Sequence, residues 1–344
     1  MTGRATFAHA SVDKGGIPMH SRIGRRRLLA ALGGAAAVAA GAQIGLGGCS
    51  STTGGKPTTA SGTAGPRLVG KPDGLDLAVA ENADAAQAVR AAIGAYGGIA
   101  RYVHKGDFVV LSPNIGFQRA PDVGATTNPQ VLRAVVDLCK QAGATRITVL
   151  DYTLDDPQLS FAANGTQDVL KGTGATLVSP ADESLYVPMD LSKCPKHRAD
   201  NIAQKVARDV MRADVFIPMP VAKDHEAAKC SLSMKKLMGV IWDRKSYHRS
   251  DLHTCIAELN ATLKPTLIVM DATRCLQTRG PKGPGEVTQP HQVVVGVEPA
   301  SVDAYSCKYL TVKGIKPTDV PYIVKGAEMG LGQIDVSKLK VKEV

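Results

Sequence analysis

The sequence predicts an α/β fold, a mostly parallel twisted sheet with helices on both faces. Three observations lead there. Short, nearly continuous apolar runs have the length of buried strands, segments with helical apolar spacing alternate with them, and several of the apolar runs end in polar residues. With 344 residues, 44% of them hydrophobic, the chain is long enough to bury a sizeable core.

The elements follow in order. LDLAVA, at 75–80, is a short strand, and ADAAQAVRAAIGAY, at 83–96, has helical spacing. DFVVLSPN, at 107–114, reads as a buried strand running into a loop; PQVLRAVVDLCKQAGA, at 129–144, opens on a proline and closes at Gly143, as helices do. RITVLD, at 146–151, is the next strand. Further strands are ADVFIPMP at 213–220, PTLIVMDA at 265–272 and HQVVVGV at 291–297. The stretches 199–213, 250–264 and 301–310 are expected as helices between or after them. Ligands of such sheets gather where strands end, and here the ends carry Asn114, Asp151, Lys223 with His225, and Asp271. Ordinary loop capping would also place Asn and Asp there.

The first 66 residues follow a different logic. Arg25, Arg26 and Arg27 precede an Ala/Gly-rich apolar run that ends in LGGC at 46–49. The arginines resemble a twin-arginine export signal and LGGC a lipobox, with Cys49 as the lipidated residue. Met19 would serve as the start of such a signal. The expected organisation is a signal peptide over 1–48, a flexible Ser/Thr/Gly-rich linker over 49–66 and an α/β domain over 67–344. The expected partners are the twin-arginine translocation machinery during export and, through the lipid, the outer face of the bacterial cytoplasmic membrane or the cell envelope. The alternative is an uncleaved anchor, since 28–48 is long enough to span a bilayer. Twin-arginine export carries proteins already folded, which raises the expectation of a bound cofactor. Nucleic acid is not an expected partner. The net charge of +10 falls to 35 basic against 30 acidic residues once 1–48 is set aside, and only 4% of residues are aromatic.

Chemistry-bearing residues concentrate between Lys223 and His253. His225 is a candidate general base or metal ligand, because a histidine titrates near working pH. It is expected in a strand-to-helix loop, with Ser231 or Ser233 capping a helix over MKKLMGVI. Lys235 and Lys236, early in that helix, suggest an anionic ligand close by, or else a solvated basic face. His248 and His253 are five residues apart, a spacing that belongs to no helical metal pair, so with His225 they form only a tentative metal set. The Gly/Pro-rich stretch 273–291 is expected as a loop over the site, with Arg274, Arg279 and Lys282 able to meet a carboxylate or phosphate. Cys139 shares a helical face with Val131 and Val135 and is expected in the core. The six cysteines after Cys49 contain no CxxC pair and are expected as structural thiols or up to three disulfides.

A family resemblance rests on VVLSPN, TTNPQVLRAVVDLCKQAGATRITVLD, ADVFIPMPVAKDH, MKKLMG, LKPTLIVMDAT, RGPKGPG and EPASVDAYSCKYL, in that order from about Asp107 to Gly332. Together they resemble the family called domain of unknown function 362. Lys223, His225, Lys235, Gly239, Asp271 and Asp303 fall on positions matching its pattern. Two positions depart from it: Ser112 stands where the family tends to have lysine, and Lys236 where it tends to have asparagine. Some members append a ferredoxin-like module, which this chain's scattered cysteines do not match, so a ferredoxin-type iron–sulfur cluster is not implied. The spacing of His225 and Lys235 is also similar to that in nickel-pincer lactate racemases, whose lysine carries the cofactor and whose nickel takes a later histidine, here His248 or His253. Asp303 is expected to cap or orient its helix.

The resulting expectation is a cofactor- or metal-associated site of Asn114, Lys223, His225, Lys235 and Asp271 performing redox or isomerisation chemistry. The competing expectation is a non-catalytic protein that captures a small anion at the cell surface with the same lysines. A structural envelope protein is the third.

Overall fold

The computed structural model describes residues 65–344. Arg25, Arg26, Cys49 and nearly all of the expected linker lie outside the described residues. Among the described residues no helix is long and apolar enough to cross a membrane.

The strands are β1 (Leu77–Glu81), β2 (Phe108–Pro113), β3 (Arg146–Leu150), β4 (Thr176–Val178), β5 (Tyr186–Pro188), β6 (Lys205–Ala207), β7 (Val215–Met219), β8 (Val221–His225), β9 (Lys229–Ser231), β10 (Ile268–Leu276), β11 (Val287–Thr288), β12 (Gln292–Gly296) and β13 (Val341–Glu343). The helices are α1 (Ala85–Ala95), α2 (Pro129–Gln141), α3 (Pro157–Ala163), α4 (Thr166–Leu170), α5 (Pro195–Ala199), α6 (Arg208–Arg212), α7 (Ser233–Lys236), α8 (Arg244–Arg249), α9 (Leu252–Thr262), α10 (Pro299–Ser306) and α11 (Pro321–Glu328).

The fold is α/β with a parallel sheet. Strands pair in the order β4-β3-β2-β7, every pair parallel. A second, mixed sheet runs β13-β1-β12-β10-β8-β9, with β11 added to β10. Pro220 separates β7 from β8, so one stretch of chain serves both sheets. Its carbonyl still accepts from the Asp271 amide at 2.7 Å, which holds the two sheets in register where the proline interrupts the ladder.

Alternation along the strands puts apolar side chains on both faces. Val109, Leu111, Val215, Ile217 and Val269 join α1 and α2 in one buried cluster. Val110, Phe216, Ala222 and Met270 join α9, α10 and α11 in the other. Cys139 is fully buried in the first, with Val131 and Val135. All six described cysteines are buried free thiols. Asp84 and Asn128 cap α1 and α2 through backbone amides, and Pro129 opens α2.

Three local expectations change. The predicted helix over 199–213 is helical only at its ends, in Ala199, which closes α5, and in Arg208–Arg212, because 205–207 pairs with β5 and the Gln204 side chain bonds the Asp243 backbone instead. Asp224 and His225 end β8 and turn back into β9 as a hairpin rather than entering a helix. Arg274 and Leu276 extend β10, and β11 pairs back on it, so the expected loop over 273–291 is a hairpin with its tip near 277–286.

Candidate functional site

A cavity of about 380 Å³ opens where β2, β3 and β8 end. From β2 the chain leaves toward β3 and β4 on one side, and only later returns to β7 on the other. Such a reversal splays the loops apart and leaves a crevice at the strand ends. Asn114 spans it: its side-chain oxygen accepts from the Val221 amide at 2.9 Å, which leaves the amide NH2 without a protein partner among the described residues.

The wall is rich in cations. Lys223, Lys235, Lys236, Arg244 and Lys245 line the cavity with His225 and His248, and Asp151 is the one carboxylate among them. That carboxylate is already engaged. Lys236 donates to Asp151 at 2.9 Å and to Ser112 at 2.8 Å, and the other Asp151 oxygen accepts from the Ile115 amide at 3.0 Å. Ser112 and Lys236 are therefore bonded to each other. Gly239 is required beside them, since a Cβ there would stand 2.0 Å from Asp151 Oδ1.

Lys223, Lys235, Arg244 and Lys245 have no ion-pair partner among the described residues. Lys223 is 1% exposed; its ammonium donates to the Ala125 carbonyl at 2.6 Å and lies 4.8 Å from the Phe117 ring centroid. Burial, with Lys235 and Lys236 nearby, brings it down to about 7 despite Asp151. Burial, then Arg244 and Lys236, brings Lys235 down to about 8. Arg244 lies flat against Tyr152, 3.4 Å from its ring centroid.

His225 is pushed down to about 3 by burial and by Lys235, Lys223, His248 and Lys313, so it is neutral at pH 7. Its Nδ1 accepts from the Ala228 amide at 3.3 Å, which puts the ring proton on Nε2 and makes that nitrogen a donor. A metal on Nε2 would need the opposite tautomer. Burial, Lys235 and Arg244 lower His248 as well.

α7 positions Lys235. Its N-terminus is held by Asp303 of α10, which accepts from the Ser233 amide at 2.7 Å, the Ser233 hydroxyl at 2.5 Å and the Met234 amide at 3.0 Å. Neither Ser231 nor Ser233 caps the helix itself. Asp303 caps this neighbouring helix rather than its own. Burial raises its carboxyl to about 7 against those hydrogen bonds.

Several sequence-predicted residues lie elsewhere. Asp271 does not line the cavity. It is buried, accepts from Asn128 N at 2.7 Å and from Thr273 N and Oγ1, and so braces the start of α2. Arg274 is in β10 with Nε and Nη2 buried and unpartnered, and it too is absent from the cavity wall. The ammonium of Lys282 pairs with Asp155 at 2.6 Å, tying down the hairpin tip whose Pro281 closes one side of the cavity. His253 stacks on Tyr322, 5.9 Å between centroids, outside the cavity lining. Arg244, Lys245, Tyr152 and Phe117 line the site without having stood out in the sequence. Phe117 and Tyr152 lie in loops and Arg244 and Lys245 open the short helix α8, where single residues carry no spacing signal.

Among the described residues one group of three has ligand atoms within 4.8 Å of one another, as a metal would need: Cys194, His197 and Glu258. It is not His225, His248 and His253. The Glu258 carboxylate accepts from Lys196 N and His197 N and meets His197 Nδ1 at 2.5 Å, while His197 Nε2 meets Tyr247 at 2.7 Å. These bonds already satisfy the group and join α5, α8 and α9.

A model of the family described as Domain of unknown function (DUF362) matches residues 109–308. A thylakoid-associated protein of Synechocystis sp. is 22% identical over 248 residues, 68% of this chain and 72% of that protein. Among solved structures, a Thermotoga maritima protein is similar with a TM-score of 0.46 and 10% identity, over 67% of this chain and 60% of that one. The lactate racemase apoprotein of Thermoanaerobacterium thermosaccharolyticum is similar with a TM-score of 0.42 and 12% identity, over 71% of this chain and 61% of that one. The match thus spans about three fifths of each of these two solved chains.

Proposed function

The chain belongs to the family described as Domain of unknown function (DUF362), and on that premise we propose that its cleft receives a small anionic ligand, a carboxylate or phosphate. One observation carries the reading: four cations with no ion-pair partner among the described residues, two of them lysines at most 9% exposed, face one cavity whose only lining carboxylate is bound to Lys236. A buried ammonium without a counter-charge is unstable, and a fold keeps such groups together where a ligand supplies the missing charge. Neutral His225, donating from Nε2, and the Asn114 amide add hydrogen-bond donors suited to anionic oxygens.

Calorimetric titration of the full-length protein with sulfate tests this. Binding is expected, with Arg244→Leu weakening it about tenfold or more, the worth of a charge-assisted bond. Absence of any bound anion refutes the reading. We extend it to an exported protein held by lipid at the membrane's outer face; Arg25, Arg26 and Cys49 support that placement. Cys49→Ala is then expected to shift the protein from the membrane to the soluble fraction.

A second reading is a cofactor carried covalently on Lys235, favoured by the absence of any partner for its amine. Intact mass and elemental analysis of protein from its own membrane check it through an adduct mapping to Lys235.

A further inference from the structure

Lys235 differs from the other buried cations of the cleft in having no bond within the protein. Lys223 donates to Ala125, Lys236 to Asp151 and Ser112, and Arg244 rests on Tyr152. Lys235 is 9% exposed, lines the cavity, and has neither hydrogen bond nor ion pair among the described residues. Its backbone, in contrast, is tightly placed. Asp303 holds the two preceding amides, and the Met234 carbonyl accepts from Asn260 at 2.9 Å. An amine with no partner, facing a cavity from a backbone held in place, is a disposition that a reactive group needs and a structural lysine does not.

We infer that Lys235 is a nucleophilic amine that condenses with the carbonyl carbon of a small 2-oxo carboxylate, an inference that rests on the anion-binding reading of the cleft. The Lys235 nitrogen forms a bond to the carbonyl carbon. The carbonyl oxygen leaves as water with the two amine hydrogens, and one further proton, from the Lys223 ammonium or from solvent, makes the product a cationic iminium. No oxidant or reductant is consumed. The carboxylate is received by Arg244 and Lys223, and the carbonyl oxygen by the donors at His225 Nε2 and the Asn114 amide. Once formed, the iminium accepts electrons from bonds on the neighbouring alkyl carbon, so proton exchange or carbon–carbon bond cleavage at that neighbouring carbon, through an enamine, is the reaction class it serves.

The electrostatics agree with this placement. With the amine brought down to about 8 by burial, Arg244 and Lys236, its free-base fraction at pH 7 is roughly 300-fold above that of an ordinary lysine. Desolvation beside another cation is a recognised means of activating a lysine for imine chemistry. Adjacent Lys236 and nearby Arg244 supply it here.

The test treats the full-length protein with pyruvate and sodium cyanoborohydride at pH 7, followed by peptide mass mapping. Calorimetric titration with pyruvate and with sulfate runs in parallel. The expected result is reductive labelling of Lys235 at least about tenfold faster than of exposed Lys193 and Lys264. Lys235→Arg, which keeps a cation but lacks the nucleophile, should lose that label while labelling at the exposed lysines persists. Labelling of Lys235 no faster than of the exposed lysines overturns the inference. If pyruvate or sulfate still binds in that case, the anion-binding reading stands alone; if neither binds, both fall. A pre-existing adduct on Lys235 in untreated protein also overturns it, because the amine would already be in use.

Discussion

Gly239→Ala tests whether the one ion pair inside the cleft is as tightly packed as it looks. A Cβ at this position would sit 2.0 Å from Asp151 Oδ1 and 2.6 Å from Lys236 Nζ. The lysine end is flexible, but the carboxylate is fixed between Lys236 and the Ile115 amide. Asp151 must therefore swing away by about an ångström or more, since carbon and oxygen do not approach within ~3 Å. That leaves Lys236, whose side chain is 1% exposed, buried beside no counter-charge. Breaking one half of a buried pair costs about 3–5 kcal/mol. For the roughly 280 described residues that corresponds to a melting temperature lower by ~5–8 °C. The assay is thermal and urea unfolding of the wild type, Gly239→Ala, Asp151→Ala and the double variant. Removing the carboxylate first removes the colliding atom, so Gly239→Ala should add little on the Asp151→Ala background. A loss under about 1 kcal/mol for the single variant, or full additivity in the double, refutes the reasoning.

Sulfate affinity should fall as pH rises through about 7 to 8, where Lys223 and Lys235 lose their protons; binding holds them protonated, so calorimetry in buffers of different ionisation heat should register proton uptake, and affinity that climbs with pH refutes this. Asp303, with a folded value near 7 against 3.8, binds its proton more tightly in the folded state. Its contribution is therefore fully present below the unfolded value and lost as pH rises toward 7, by up to ~4 kcal/mol. Asp303→Asn should flatten that slope in urea titrations from pH 4 to 7 while lowering stability overall, because an amide replaces an acceptor of three hydrogen bonds. Lys282→Ala removes a half-exposed pair with Asp155 and should change stability by less than about 1 kcal/mol, with faster exchange of ligand into the cleft as its measurable effect. Chelator treatment should leave the melting temperature unchanged, since Cys194, His197 and Glu258 are satisfied by protein bonds; a fall of several degrees would assign them a structural metal.

Particular residues show how far sequence reasoning reached. Asn114, Lys223, His225 and Lys235 were legible because each follows an apolar run of strand length or opens a helix, and those positions face the strand ends. Asp271 satisfied the same criterion but does not line the cavity. It sits within a long strand, and its oxygens turn to Asn128 and Thr273 rather than to the cavity. The hairpin at His225 was missed because the β8–β9 turn, Glu226–Ala228, contains no glycine, proline or asparagine to announce it. The helix expected over 199–213 failed for a tertiary reason, the pairing of 205–207 with β5.

By itself the sequence determined the α/β class, the main helices and strands, and the segment that carries the cleft's cations. Those properties depend on burial periodicity and capping, which neighbouring residues encode. Only the tertiary structure decided which cations are neutralised and which are not. Lys236 finds Asp151 and Ser112 at 85 and 124 residues' distance along the chain, and Lys223 finds Ala125 at 98. Lys235, adjacent to Lys236 and alike in sequence, finds no partner among the described residues, because consecutive residues of a helix point about 100° apart and only Lys236 meets Asp151 and Ser112. A charge's partner is a matter of position in space, and no local pattern records it.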